Sequence, residues 1–190
     1  MTQLKHKSHL VWIDMEMTGL DPEKEGILEM ATIVTDAHLK VLSNGPNLVI
    51  HQPPKLLKAM DEWNQKHHAK SGLIEAAKAS TMTVRKAEKL TLAFITEYCV
   101  PQKALLCGNA VHHDRKFIHR YMPRLDRFLH YRHIDVSTIK ALIQLWYPKD
   151  KNLPKKKTAH RALDDIRESI EELRYYREHY FRSVPVSDLR

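Results

Sequence analysis

The apolar run Leu10-Val11-Trp12-Ile13 constrains the chain most, because it reads as a short buried strand and yet ends in two acids one residue apart, Asp14 and Glu16. Side chains alternate across a strand, so these acids project from one face, roughly 7 Å apart, if strand geometry lasts to residue 16. Two like charges that close repel unless something positive lies between them. A hard divalent cation such as magnesium or manganese, which takes oxygen ligands and tolerates bridging water, meets that need. The plainer alternative is that the acids mark the strand's exit into solvent. Thr18 and Gly19 then supply a turn, with Leu20 as an isolated apolar side chain.

The pattern downstream of this strand decides the fold class. Residues 27–42 (ILEMATIVTDAHLKVL) and 47–51 (NLVIH) are rich in Ile, Val, Leu and Thr, with Asn44, Gly45 and Pro46 as a turn between them, which predicts a three-stranded antiparallel meander. From Pro53 the pattern changes to short helices ending at Gly72. An amphipathic helix follows, with apolar residues at Val84, Ala87, Leu90, Phe94 and Ile95. ALLCGN (104–109) reads as another brief buried strand and AVHHDRKFIHRYM as a helix. A short strand around HYRHID and a helix VSTIKALIQLWY, ended near Pro148, come next. Residues 148–157 carry two prolines and a run of lysines, the pattern of a solvated, mobile loop. Residues 158–181 form a long helix with Leu163, Ile166, Ile170 and Leu173 at helical spacing, and the tail beyond Phe181 is expected to fray. A hairpin sheet followed by alternating helices and strands predicts an α/β fold, a mixed sheet with helices packed on it, whose ligands collect near strand ends.

At 190 residues, with 28% charged and 43% apolar, the chain has the size and usage of one compact domain over 1–190, its core about 9–181. Its formal charge of +8 favours polyanions, so nucleic acid is the natural partner, with solubility as the bland alternative. Cys99 and Cys107 are too few for a disulfide framework and lack zinc-ligand spacing, which fits a reducing cytosol. The opening MTQLKHKSHL lacks a secretory apolar core, and no stretch of about 18 apolar residues could span a bilayer. A cytoplasmic protein without membrane association is expected.

Two further segments carry acids. Asp114 lies in CGNAVHHDRKF, just past a strand and in the first turns of a helix, where a carboxylate can point back to the strand ends or simply complement the helix dipole. In TAHRALDDIRESIEEL, His160 precedes Asp164 and Asp165. A histidine beside carboxylates has a pKa suited to taking a proton from water. Most of the other histidines, including His67 with His68 and His112 with His113, read as surface residues.

With these segments assembled, in this order and with WIDMEMTGLDP, HYRHIDVST and ALDDIRES as longer blocks, the chain resembles the oligoribonuclease family of the DEDDh exonuclease group, from about residue 9 to residue 181. The resemblance implies a ribonuclease H-like mixed sheet, a homodimer, and 3'-to-5' removal of nucleoside 5'-monophosphates from very short single-stranded RNA. It implies Asp14, Glu16, Asp114 and Asp165 as ligands of two Mg2+ or Mn2+ ions and His160 as general base. Helix geometry alone mildly favours Asp164 over Asp165, since residues four apart share a face better than residues five apart; a His160 placed in the loop before the helix removes the conflict. The same resemblance implies Leu20 as a wedge against the bases, Trp63 and His68 near the 3' end and phosphates, and Tyr131 with Arg132 reaching the partner's site. Such stacking and phosphate contacts ignore base identity. Ala110 and His113 stand where the family block has Ser and Gln, which affects one phosphate contact at each position.

Three rivals remain at this level. A haloacid dehalogenase-like phosphatase also places acids after an apolar strand, but it needs a second aspartate where this chain has Glu16 and has no use for His160 and Asp165. A noncatalytic RNA-binding protein would explain the charge and leave the carboxylates without purpose. A DNA proofreading exonuclease shares the fold, and the absence of an accessory domain favours short substrates instead.

Overall fold

The computed structural model describes residues 5–150, 153–154 and 161–181. β1 (Leu10–Met17) is the central strand of a five-stranded sheet with the order β3-β2-β1-β4-β5. It pairs antiparallel with β2 (Ile27–Thr35) on one side and parallel with β4 (Leu105–Gly108) on the other. β3 (Val41–Val49) lies antiparallel to β2 at one edge, and β5 (His133–Asp135) lies parallel to β4 at the other. The sheet is therefore mixed, with an antiparallel meander and parallel strands reached through helical crossovers, as the sequence pattern predicts.

The meander differs from expectation in where it turns. The chain reverses at Asp36–Lys40, where the Asp36 carboxylate accepts the amides of His38 (2.8 Å) and Lys40 (2.9 Å) and Leu39 adopts φ +68°. Asn44, Gly45 and Pro46 instead lie within β3, where the register slips between Ala31 and Ile33 of β2. An outer strand tolerates proline because one row of its amides has no ladder partner. Gly45 is required there by the Phe94 ring, which occupies the space a Cβ would need.

Helices cover both faces. Val11, Ile13 and Met15 of β1 pack with Met30, Val34 and Leu106 against residues of α4 (Val84–Tyr98), α5 (His112–Tyr121) and α6 (Pro123–Phe128). Trp12 faces the other way with Ala31, Ile33 and Cys107, against α7 (Val136–Trp146) and α8 (Ala162–Tyr180). Each fully buried Ile or Leu in these layers contributes roughly 1.5–3 kcal/mol of burial free energy. A third cluster joins Leu28 to Leu57, Met60, Leu73 and Ala77, from α1 (Pro54–Ala59) and α3 (Leu73–Ala79). Between those two helices lies α2 (Glu62–Lys70), and the turn after it uses Gly72 at φ +73°.

α3 and α6 were not expected as separate helices. In α4 the buried positions are Ala87, Glu88, Thr91 and Ile95, while Leu90 is exposed. Glu88 is buried because its Oε1 accepts the amides of Arg124 (2.6 Å) and Leu125 (3.1 Å) at the start of α6. The last helix begins at Ala162 rather than at residue 158; residues 158–160, residues 151–152 and 155–157 of the lysine-rich loop and the tail after Phe181 lie outside the described residues. No helix among the described residues is long and apolar enough to cross a membrane.

Candidate active site

Strand alternation places Asp14 and Glu16 on the same face as Trp12, the face covered by α8, and the strand persists through both acids to Met17. α8 brings a third acid to them. One carboxylate oxygen from each of Asp14, Glu16 and Asp165 lies within 4.8 Å of the others. The helix start turns Asp165, and not Asp164, toward the strand acids: Arg161 is the N-cap residue, and the Asp165 amide bonds the Arg161 carbonyl (3.0 Å). Asp164 is 53% exposed and pairs outward with Arg167 (3.2 Å). His160, one residue before the N-cap, lies outside the described residues.

The electrostatics of this corner are unfavourable without a cation. Burial, then the charges of Asp14, Asp165 and Glu29, push the Glu16 carboxyl up to about 8, against a smaller opposing effect of Arg161. Asp114, at the start of α5, is buried behind the same strand end, where its Oδ1 accepts the Met15 amide (2.9 Å). Burial and the Asp14 charge hold its carboxyl well above the usual range. Closely held, oxygen-only donors with strained ionisation are the chemistry that a hard divalent cation satisfies, so the residues fit such an ion.

The other expected residues fall into two groups. Leu20, Trp63 and Tyr131 are 60%, 66% and 72% exposed, so none is a core side chain. Trp63 stacks on His67 with ring centroids 4.6 Å apart and an interplanar angle of 7°, and the Arg132 guanidinium sits 5.2 Å from the Tyr131 ring centroid. These are apolar and cationic platforms presented to solvent. His68, by contrast, is not a surface residue: it is 2% exposed, its Nε2 donates to the Met17 carbonyl (2.9 Å), and its Nδ1 lies 3.8 Å from a Glu16 oxygen. It docks α2 on the end of β1. Ala110 adopts φ +49° and donates its amide to Asp135 Oδ1 (3.0 Å) and Ser137 Oγ (2.9 Å). His113 is partly buried, and its pKa is lowered by burial and by neighbouring His112 and Lys116.

Comparison with known proteins gives the chain a family. A family model described as an exonuclease (RNase T) matches residues 11–173. Proteins named oligoribonuclease are similar over nearly their whole length. The one from Coxiella burnetii is 56% identical, covering 90% of this chain and 93% of its own. That from Bordetella pertussis is 54% identical, covering 93% and 98%. The chain belongs to the oligoribonuclease family. The Pseudomonas aeruginosa member is 48% identical over 94% of this chain and 99% of its own. Among solved structures, exonuclease I superposes with a TM-score of 0.71 at 15% identity, and E. coli exonuclease I in complex with a dT13 oligonucleotide with 0.69 at 17%. The chain spans 41% of each of those, and the likeness establishes the ribonuclease H-like fold.

In this oligoribonuclease family member the acids depend on supports that sequence reasoning missed. Glu29 of β2 is fully buried and binds Arg161, whose Nη2 lies 2.8 Å from Oε1. A lone carboxylate in the apolar strand ILEMATIVT was the available signal, since a buried charge requires a partner. A second network joins Asn109 Nδ2 to Ser169 Oγ (2.6 Å) and Glu172 Oε2 (3.2 Å), while Asn109 Oδ1 accepts from Ser137 (3.0 Å), fixing the loop before α5 to α7 and α8. A third ties the loop displaying Leu20: the Tyr121 hydroxyl contacts the carbonyls of Pro22 (2.9 Å) and Glu25 (2.7 Å), and Thr18 bonds the Glu25 carboxylate.

Proposed function

We propose that this chain is a 3'-to-5' exoribonuclease, a single domain acting on very short single-stranded RNA, dinucleotides included, and releasing nucleoside 5'-monophosphates. The observation that carries this reading is the convergence of Asp14, Glu16 and Asp165 at the end of a buried central strand, in a chain 48–56% identical to proteins named oligoribonuclease. Asp14, Glu16, Asp114 and Asp165 would hold two Mg2+ or Mn2+ ions, which supply charge neutralisation at the phosphate and a lowered pKa for water.

The chain's own residues do the rest. His160 takes the proton of the attacking water as the water oxygen bonds to phosphorus, the bond from phosphorus to the 3'-oxygen breaks, and that oxygen takes a proton from solvent water to leave as the 3'-hydroxyl of the shortened strand. Leu20 and Trp63 bracket the terminal bases, which suits recognition independent of sequence. Ala110, whose amide is held by Asp135 and Ser137, and His113, next to Asp114 on α5, are the proposed neighbours of the phosphate, with His68 holding the strand end in place. The expected result with a 5'-labelled dinucleotide and Mg2+ is quantitative conversion to mononucleotides, abolished by EDTA. Cleavage that survives chelation, or the absence of any cleavage, would overturn the assignment.

The reading includes a homodimer in which Tyr131 and Arg132 complete the partner's site. Support comes from their exposure and from the apolar end of α7, where Leu145 and Trp146 are also exposed. An Arg132→Ala protein mixed with an Asp14→Ala protein is then expected to regain hydrolysis that neither has alone, because one mixed site is whole. Failure to complement in a mixture shown to exchange subunits would remove the shared site. A reducing cytoplasm suits the two buried free cysteines, Cys99 and Cys107.

A further inference from the structure

We propose that the buried Glu29–Arg161 ion pair is a positioning clamp that sets Asp165 against Asp14 and Glu16 and thereby sets the divalent-cation affinity of the site. The inference rests on the metal reading above and extends it to two residues that are not ligands in that reading.

Glu29 lies directly across the ladder from Glu16 and is completely buried. Left alone it would be one more carboxylate competing for the same cation, at the cost of a desolvated charge. Arg161 prevents this by engaging both oxygens: Nε lies 3.3 Å from Oε1 and 3.1 Å from Oε2, and Nη2 lies 2.8 Å from Oε1. The Ala162 amide, at the helix start, adds a longer contact to Oε2 (3.5 Å). A planar guanidinium held at two oxygens has little freedom to swing, which a lysine could not reproduce.

Arg161 transmits that constraint through its own backbone. Its carbonyl accepts the amides of Asp164 (2.9 Å) and Asp165 (3.0 Å), and α8 has no side-chain N-cap to hold its first turn in another way. The path from the sheet to Asp165 therefore runs from Glu29 through the Arg161 side chain, across its carbonyl, to the helix turn that presents the ligand. Arg161 also brings a positive charge near Glu16. Support of this kind behind a ligand set commonly governs metal affinity by about 10- to 100-fold.

Mn2+ binding followed by electron paramagnetic resonance tests the clamp independently of turnover, with circular dichroism and Tm recorded for every protein. Glu29→Gln and Arg161→Gln are expected to weaken Mn2+ binding by about tenfold or more, with Arg161→Lys recovering only part of it. If Arg161→Gln fails to fold, because Glu29 is stranded, the neutral double variant Glu29→Gln/Arg161→Gln gives the readout and is expected to show the same loss. A merely structural anchor would lower Tm and leave the folded protein's Mn2+ affinity within about twofold of the parent, and that result would overturn the clamp alone. A parent protein that binds no Mn2+ would overturn the metal reading and the clamp with it.

Discussion

Asp114→Asn is expected to fold and to lose dinucleotide hydrolysis by about 10³-fold, roughly 4 kcal/mol of transition-state stabilisation. In metal-free buffer at pH 8 it is also expected to melt above the parent. The asparagine keeps an oxygen that can accept the Met15 amide and removes the cost of ionising a carboxyl buried beside Asp14. Asp114→Ala loses the same activity but also leaves that amide unpaired, at a cost of about 1–3 kcal/mol. Calorimetric Tm values and turnover of a labelled dinucleotide separate the effects. Retained turnover in Asp114→Asn would take the residue out of the reaction, and equal Tm values for the two variants would show that the Met15 contact contributes nothing.

The second large effect is on stability against pH. Glu16 titrates at about 8 in the folded protein against an ordinary value of 4.5, chiefly because it is buried among other carboxylates. Between those two pH values the folded chain keeps a proton that the unfolded chain has lost. Stability of the metal-free protein must therefore fall as pH rises across that window, by on the order of 4 kcal/mol in total for this group. Divalent cation reverses the trend at the alkaline end, since it binds the deprotonated carboxylates of the folded state. Thermal denaturation in EDTA from pH 5 to pH 8 should show a falling Tm, flattened in Glu16→Gln, and added Mn2+ should restore the parent most at pH 8. A Tm that climbs with pH in EDTA would contradict the burial of that carboxyl.

What the sequence made legible was whatever depends on near neighbours along the chain. The Leu10–Ile13 run, the Asp14 and Glu16 alternation and the spacing of Ile166, Ile170 and Leu173 all follow from strand or helix periodicity, and each appears as expected. The turn was misplaced because Asn44-Gly45-Pro46 carries a stronger turn composition than Asp36–Lys40, while the edge position of β3 allowed a proline to stay in the strand. The six- and seven-residue helices α6 and α3 are too short to declare themselves by period; they exist because Leu125, Phe128, Leu73 and Ala77 have a core to enter. Among the candidate site residues, Asp14, Glu16 and Asp165 are picked out by order and spacing, and the structure brings their carboxylates together. The partnership of Glu29 with Arg161 was not legible, because it joins residues 132 positions apart and no local pattern encodes the meeting. His68 shows the same limit: one member of an adjacent histidine pair is stacked under Trp63 at the surface and the other is buried against β1.

The two margins of the sheet also govern how molecules of this chain can meet. On one side the outermost strand is interrupted by Pro46, which offers no amide, and on the other β5 is only three residues long. Neither margin is a template on which a neighbour could continue the backbone ladder. Contact between copies of this chain is then left to side chains on helices and loops, where its geometry is set by surface complementarity and not by a backbone ladder.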